Sequence, residues 1–262
     1  MVLAIVLGNS TGKVFLMYKN TAIATGVVTL LLAAAPAEAI TITYGHGHDA
    51  QGVPTSSVAG ARVNNFNDSS FTNWIGGPNP VTGTTTSGGG SHFVTGDVSN
   101  RYAAPYISDG PNAGTDDTTV YLSVPSSSNS GSVTLLLNAG FDYFGLLWGS
   151  IDTYNSIAFL LGGSPVASFT GSDVTNPNAA NGNQTAPSTN TYVNFFDLPT
   201  FNAVKFGSTN YAFELDNIAL ATLSCTANCG GSNTSVSEPA GIGLVGIGLL
   251  GLGLATRRRK LA

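Results

Sequence analysis

The chain has 262 residues, of which 9% are charged, and it contains 33 glycines. Since an ordinary soluble domain carries about 25% charged residues, this composition excludes a coiled coil, a helical bundle and a basic nucleic-acid-binding protein. Residues 40–237 hold three basic and twelve acidic residues, and an acidic body repels phosphate backbones. We therefore expect no nucleic-acid partner, and we expect divalent cations or neutral polysaccharide instead.

The N-terminal segment is typical of an export signal. It has a positive start, an apolar stretch and a small-x-small cleavage pattern, at Lys19, at residues 22–35, and at Ala37 with Ala39. The apolar stretch is short for a bilayer span. We therefore predict that residues 1–39 are a signal peptide removed by signal peptidase, with Met17 as an alternative start codon. A retained N-terminal anchor is the alternative interpretation.

The middle of the chain predicts strands. From residue 40 to 223, short apolar stretches alternate with turn-forming residues and no helical period is sustained. The fold class predicted is all-β, as a single β-sandwich of jelly-roll type. Nine strands are expected: Ile40–Tyr44, Thr119–Val124, Ser132–Leu137, Tyr143–Trp148, Ser156–Leu161, Val166–Thr170, Tyr192–Phe196, Ala203–Ser208 and Ala212–Ala219.

Turns and loops are predicted between these strands. Gly162-Gly163 indicates a tight hairpin, and Asp152–Asn155 indicates another turn. Two tracts rich in small polar residues, Thr82–Ser91 and Ser126–Gly131, are expected to be exposed and flexible. Asp173–Asn190 is expected to form a long loop.

Two histidines follow the first expected strand. His46 and His48 would share one face of a strand, so their imidazoles suit a transition metal. A zinc site of the catalytic type needs three protein ligands, and the sequence has one other histidine, His92. An exposed, solvated edge is the favoured interpretation, and a metal site is the alternative.

Aromatic residues are concentrated in Phe141–Phe169. The favoured interpretation is core packing, because aromatic residues in strands are mostly buried. The alternative is a sugar-stacking platform, for which Trp148, Tyr154 and Trp74 are the candidates. Asp142 and Asp152 flank the aromatic strand and suggest a paired-carboxylate glycosidase as a further alternative. No nucleophile or metalloprotease motif accompanies them, so we expect a protein that is not an enzyme.

The last expected strand contains two oxygen-bearing side chains, Asp216 and Asn217. The apolar alternation places Phe213 and Leu215 toward the core, and Ile218 also after a local irregularity. This stretch resembles the closing strand of jelly-roll carbohydrate-binding modules, which implies a structural calcium near the aspartate. Oxygen ligands suit Ca²⁺, so a structural calcium at Asp216 and Asn217 is an alternative to a domain without a cofactor.

A Gly- and Ser-rich linker is predicted at residues 224–237, and it contains Cys225 and Cys229. In an exported chain, two cysteines most simply form one disulfide. The closed loop is small, so the bond would add little beyond local stiffness.

The C-terminal segment predicts a membrane span. Residues 240–256 are uncharged, and as a helix they would extend about 26 Å, which is short but usable in a bilayer. Four cations follow as a stop-transfer cluster: Arg257, Arg258, Arg259 and Lys260. By the positive-inside rule these cations stay in the cytoplasm and the acidic body lies outside.

The Glu238-Pro239 pair, the Gly- and Leu-rich span and the arginine cluster together resemble the PEP-CTERM sorting signal of bacterial exosortase substrates. The resemblance covers residues 237–262 and departs from the family pattern at Ser237, where that pattern has proline. It implies export, transient anchoring in the cytoplasmic membrane, and cleavage near Glu238-Pro239 by an exosortase-type enzyme. The implied destination is the cell surface or the extracellular matrix.

These features favour a structural or adhesive role for an exported surface protein. A carbohydrate-binding module that binds extracellular polysaccharide is the first alternative. A glycan-active enzyme is the second.

Overall fold

The computed structural model describes residues 39–175 and 179–223, together with the backbone of residues 234–235. The strands of this part of the chain are β1 Thr41–Thr43, β2 Gly47–His48, β3 Pro54–Thr55, β4 Arg62–Asn64, β5 Val81–Gly88, β6 His92–Val94, β7 Tyr106–Ile107, β8 Thr115–Asp116, β9 Tyr121–Val124, β10 Gly131–Phe141, β11 Tyr143–Gly149, β12 Asn155–Leu161, β13 Ser164–Thr170, β14 Thr191–Phe196, β15 Phe201–Ser208, β16 Phe213–Ala221 and β17 Thr234–Ser235. A 3₁₀ turn spans Gly110–Asn112, and one short helix, α1, spans Gly171–Val174.

The longer strands form two antiparallel sheets. One sheet has the order β17-β1-β14-β11-β16-β9-β6, with β4 also paired to β16, and the other has the order β13-β12-β15-β10-β5. Consecutive strands such as β11 and β12, or β15 and β16, lie in different sheets. Their connections therefore cross from one sheet to the other at the ends of the strands, which makes the domain a β-sandwich.

The space between the sheets is filled mainly by aromatic rings. Phe144 of β11 contacts Phe159 of β12 and Phe206 of β15, with ring centroids 5.5 and 5.9 Å apart. Trp148 of β11 stacks on Phe213 of β16 at 4.4 Å. Rings of this size each bury about 150–250 Å². Their burial contributes to the hydrophobic stabilisation of the sandwich, together with that of the aliphatic residues of the same core.

The opposite face of the first sheet, here called the outer face, is also buried. Leu147 of β11 and Tyr192 of β14 pack there against Val53 and Ile107. The chain segments that cover this face, residues 45–61 and 103–119, are called the covering layer below. Because of this layer, every residue of β11 is buried.

A β-bulge interrupts β16 in the middle. The partners in β11 shift between Gly145, which is opposite Ala219, and Leu147, which is opposite Asp216. Asn217 is the extra residue of the bulge, and its φ is positive, at 46°. The bulge returns Ile218 to the core beside Phe213 and Leu215 and leaves Asp216 on the outer face. The predicted irregularity is therefore confirmed.

The all-β prediction is confirmed, and each of the nine expected strands coincides with an observed one. The hairpin at Gly162-Gly163 is confirmed as well, since both glycines have positive φ angles, 59° and 85°. The segment Thr82–Ser91 is mostly exposed, as expected, but the expectation of a flexible tract was wrong. Most of it belongs to β5, an edge strand paired with β10, where exposed β-branched threonines suit a pleated surface.

Several predictions concern residues outside the described part of the chain. These are the signal peptide before Ala39, the pair Cys225 and Cys229, the sorting motif Glu238-Pro239, the helix at 240–256 and the cations at 257–260. In the part of the chain that the structure describes, no helix combines the length and the apolar character needed to cross a membrane.

Candidate functional site

A cleft of about 630 Å³ lies at one end of the sandwich. Its walls come from the connection between β11 and β12, the connection between β15 and β16, and the loop after β6. Residues 182–184 complete the rim. Two of these connections cross between the sheets, so their polar backbone and side chains gather at one point.

Three half-buried tyrosines line the cleft: Tyr102, Tyr154 and Tyr211. The Tyr154 hydroxyl donates to the Tyr211 carbonyl oxygen at 2.8 Å. The Arg101 guanidinium lies over the Tyr211 ring, 5.7 Å from its centroid. Arg101 is exposed, so a stacked guanidinium of this kind keeps its N–H groups available to a ligand.

Glu214, the second residue of β16, lies at the bottom of the cleft. It is 2% exposed, and its carboxylate accepts hydrogen bonds from the Ser150 hydroxyl at 2.6 Å and the Ala103 amide at 3.1 Å. Burial raises the pKa of Glu214 to about 7, although these two hydrogen bonds lower it. A carboxyl group with this pKa changes charge near neutral pH.

Acidic groups outnumber basic groups along the cleft wall. Asp97 and Asp152 line it together with Glu214, against one cation, Arg101. Burial raises the pKa of Asp152 as well. An anionic ligand would meet like charges in such a cleft, whereas a neutral polar ligand would meet hydrogen-bond acceptors.

A buried acidic cluster lies between the outer face and the covering layer. Asp117, Asp216 and Asn217 are 1%, 0% and 0% exposed. The Thr119 hydroxyl lies 2.7 Å from Asp117 Oδ1 and 3.3 Å from Asp216 Oδ2, but it has one proton and can donate to one of them. Burial raises the pKa of Asp216 well above its ordinary value, and the charge of Asp117 raises it further.

Two oxygen atoms of this cluster are left without a hydrogen-bond donor. They are Asp117 Oδ2 and Asn217 Oδ1, while the Asn217 amide nitrogen donates to Asp49 Oδ2 and to the Pro54 carbonyl oxygen, each at 3.0 Å. Unpaired buried acceptors are costly. Oxygen atoms from carboxylate and amide groups are the ligands that Ca²⁺ takes. The donor set of Asp117, Asp216 and Asn217 therefore has the ligand chemistry that Ca²⁺ prefers.

The aromatic candidates from the sequence occupy two different environments. Trp148 is fully buried against Phe213, and Trp74 is 8% exposed with its indole N–H donated to the Phe71 carbonyl oxygen. Both have the environment of core residues, and neither presents a ring face to solvent. Tyr154, by contrast, lines the cleft.

The structure separates the two carboxylates that suggested a glycosidase. Asp142 precedes β11 and Asp152 follows it, so about 23 Å of extended strand lies between them. Glycosidase carboxyl pairs are about 5–9.5 Å apart. Asp142 instead accepts the Leu223 amide near the other end of the sandwich, and it does not share a site with Asp152.

Sequence reasoning missed Glu214, Arg101 and Tyr211 as cleft residues. One signal was present in the sequence: Glu214 and Asp216 occupy alternate positions within an otherwise apolar strand. Acidic side chains on one face of a fully buried strand need partners or a ligand. Arg101 and Tyr211 lie in loops, and nothing in their local sequence marks them.

Neither a protein-family model nor a curated protein matches this chain. Among solved structures, the chain is similar to CBM32-3 from a family 31 glycoside hydrolase from Clostridium perfringens. The identity is 13%, the TM-score is 0.27, and the match covers 49% of this chain and 90% of that chain.

Proposed function

We propose that the described domain is a non-catalytic carbohydrate-binding module of an exported surface protein, and that it binds glycan in the cleft at Tyr154. The observation that carries this proposal is the composition of the cleft wall, which combines three tyrosine rings, one guanidinium and three carboxylates. An adhesive role in an extracellular matrix follows from glycan binding. It agrees with the interpretation that the sequence favours.

Sugar rings match this wall chemically. A pyranose has an apolar C–H face, which packs on aromatic rings, and a rim of hydroxyl groups, which need donors and acceptors. Tyr102 and Tyr154 supply rings, Asp152 supplies an acceptor, and Arg101 supplies donors. The hydrogen bond between Tyr154 and the Tyr211 backbone holds the wall in place before a ligand binds. Because acidic groups predominate, we propose a neutral polysaccharide as the ligand.

Glycan binding is tested on an array of neutral and uronic-acid glycans with the full chain. The proposal expects binding to neutral glycans, and a Kd raised more than about tenfold in Tyr154→Ala and in Arg101→Ala, equivalent to about 1.4 kcal/mol. Tyr44→Ala is the matched control, because Tyr44 is an exposed tyrosine (40%) that does not line the cleft. Its Kd should equal that of the wild type.

Three outcomes contradict the proposal. The first is that no glycan binds, and the second is that both cleft variants bind as the wild type does. The third is that the glycan is cleaved and that Asp152→Asn abolishes cleavage, which indicates an enzyme.

We further propose that the acidic cluster binds a structural Ca²⁺ through Asp117, Asp216 and Asn217. The two unpaired buried oxygen atoms support this assignment. A bound dication offsets the mutual repulsion of the two carboxylates. It also connects β16 to the covering layer, since Asp117 belongs to that layer.

Calcium binding is measured as a shift of unfolding between EDTA and Ca²⁺. At a free Ca²⁺ concentration of one hundred times Kd, the wild type should gain about 3 kcal/mol. Asp216→Asn should gain nothing, whereas Asp68→Asn, a change at an exposed aspartate outside the cluster, should gain as much as the wild type. A wild type that is indifferent to Ca²⁺ contradicts the assignment.

The export route belongs to the same proposal and is supported by the terminal sequences. It comprises removal of residues 1–39 by signal peptidase, transient anchoring in the cytoplasmic membrane through residues 240–256, and cleavage near Glu238-Pro239 by an exosortase-type enzyme. Mass spectrometry of the mature protein from cells and from medium tests each step. A mature protein that begins before Ile40 and keeps Arg257 contradicts this route.

A further inference from the structure

Two histidines and one aspartate meet in the covering layer. His46 and His48 lie at β2, and Asp109 lies just before the 3₁₀ turn, about 60 residues further along the chain. Their ligand atoms all lie within 4.8 Å of one another. His48 Nε2 is 3.1 Å from Asp109 Oδ1, and His46 Nε2 is 3.6 Å from Asp109 Oδ2.

These separations match those of ligands around one tetrahedral ion. Zinc bonds to histidine and carboxylate ligands are about 2.0–2.2 Å long, which places neighbouring ligand atoms about 3.3–3.5 Å apart. The two nitrogen-to-oxygen distances lie close to this spacing, although each ends on a different oxygen of the Asp109 carboxylate. The sequence alone offered two neighbouring histidine ligands. The fold brings a third ligand, Asp109, beside them.

The geometry points to a binding site for a divalent transition-metal ion of the zinc class, with His46, His48 and Asp109 as its three protein ligands. Imidazole nitrogen is the preferred ligand of Zn²⁺, Ni²⁺ and Cu²⁺ and not of Ca²⁺. This site is therefore distinct in chemistry from the acidic cluster. It also lies apart from the cleft, whose wall includes none of the three residues.

The ring of His46 is held in the orientation that a ligand needs. Its Nδ1 lies 3.0 Å from the Gly47 carbonyl oxygen, and a carbonyl oxygen can only accept, so Nδ1 carries the proton in this bond. In the neutral imidazole Nε2 then has the free lone pair, and it lies 3.6 Å from Asp109 Oδ2. Hydrogen bonds of this kind, from the second ring nitrogen to a backbone carbonyl, accompany most metal-binding histidines.

The backbone at Gly110 approaches His48 very closely. A Cβ atom at this position would lie 2.1 Å from His48 Nε2, and the glycine has a φ of +75°. Any other residue would push the imidazole away from Asp109. The side chain of Asp109 is 57% exposed, so the remaining coordination positions of the ion face solvent.

The carboxylate of Asp49, the residue after His48, already accepts hydrogen bonds and is therefore not a ligand of the ion. Its Oδ1 accepts the amides of Gln51 and Val53, each at 2.9 Å, and its Oδ2 accepts the Asn217 side chain. The protein set is therefore two nitrogens and one carboxylate, with water in the open position. Such an ion joins the β2–β3 hairpin to the loop before the 3₁₀ turn.

Cobalt(II) absorption spectroscopy tests the site. The full chain carries Cys225→Ser and Cys229→Ser so that no thiolate binds the ion, and excess Ca²⁺ occupies the acidic cluster. Titration with Co²⁺ should give visible bands that saturate at one equivalent and vanish when Zn²⁺ is added. Asp109→Asn, at an exposed side chain, should weaken binding more than about 100-fold, because even the loss of an outer-shell partner costs about 10- to 100-fold.

Two further variants separate ligation from folding. Gly110→Ala keeps all three ligands and should weaken binding by displacing His48, whereas His92→Ala, at an exposed histidine outside the site, should bind as the parent does. Near-UV circular dichroism checks that each variant is folded. Absence of Co²⁺ and Zn²⁺ binding overturns the inference, as does unchanged binding in Asp109→Asn together with Gly110→Ala.

Discussion

The two faces of strand β16 carry opposite chemistry although both are buried. The inner face presents Phe213, Leu215 and Ile218 to the core between the sheets. The outer face presents Glu214, Asp216 and Asn217, which are 2%, 0% and 0% exposed. An apolar face is stabilised by removal from water alone, whereas an acidic face needs donors, protons or cations.

The difference assigns separate tasks to the two faces. The inner face contributes to the stability of the sandwich, and the outer face carries two carboxyl groups, Glu214 and Asp216, whose pKa values are raised by burial. The covering layer makes this possible, because it buries Asp216 and Asn217 and leaves Asn217 Oδ1 without a hydrogen-bond donor. The following predictions test whether the two faces behave differently.

The largest decrease in the free energy of unfolding is expected from a substitution on the inner face. Phe213→Ala removes a fully buried ring stacked on Trp148 and should lower the free energy of unfolding by about 3–5 kcal/mol. Urea denaturation followed by circular dichroism measures this change. Leu161→Ala, at a side chain that is 46% exposed, should change it by less than about 0.5 kcal/mol. Equal losses in the two variants would contradict the inner-face role.

On the outer face, titration of Glu214 is expected to change the free energy of unfolding by about 3 kcal/mol. Each pKa unit between the folded and unfolded values corresponds to about 1.4 kcal/mol. Burial raises the pKa of Glu214 from 4.5 to about 7. Between these values the folded chain binds a proton that the unfolded chain has lost, so the free energy of unfolding falls as pH rises. The stabilisation is complete below pH 4.5 and is lost as pH rises through about 7.

The contribution of Glu214 is isolated by comparison with Glu214→Gln in EDTA at a series of pH values. A glutamine can accept from the Ala103 amide and donate to the Ser150 hydroxyl, so both contacts remain available. The stability difference between the variant and the wild type should grow with pH and level off above about 7. A difference that is constant with pH would show that Glu214 does not titrate in this range.

A smaller effect is expected from Ser150→Ala. This change leaves one buried oxygen of Glu214 without its donor and should cost about 1–3 kcal/mol at pH 8. The cost should be lower at pH 5, where the carboxyl group is protonated. Ser156→Ala, at an exposed serine whose hydroxyl also bonds a backbone carbonyl, should show no such pH dependence in chemical denaturation.

The smallest effect is expected on β5, which faces solvent along most of its length. Thr84→Ala should change the free energy of unfolding by less than about 0.5 kcal/mol. Thermal unfolding at one pH is sufficient to check this. A loss as large as that of Phe213→Ala would mean that stability is not concentrated on the inner face.

The strands were predictable because their signal is local. Apolar stretches bounded by glycine, asparagine and serine marked nine of them, and the strand over 143–149 was found almost to the residue. Strand β5 was not predicted, because its threonines and glycines resemble the composition of a linker. Its pairing with β10 depends on a partner about 50 residues away.

The sites were less predictable because they combine distant residues. Thr119 and Asp216 are 97 positions apart, and His48 and Asp109 are 61 apart. The sequence identified Asp216, Asn217, His46, His48 and Tyr154 as candidates. It gave no means of placing Asp117, Asp109 or Arg101 beside them, since loop residues carry no periodic pattern.

The pairing of β1 with β17 has a consequence for orientation. Thr41 lies opposite Ser235, and in the same sheet Thr41 lies opposite Phe196 and Phe144 opposite Phe195. Both ends of the domain therefore emerge where β11 begins, whereas the cleft at Tyr154 opens where β11 ends, about 20 Å away. A chain that is attached to another body through the residues after Ser235 would therefore present the cleft at the end of the domain away from the attachment point.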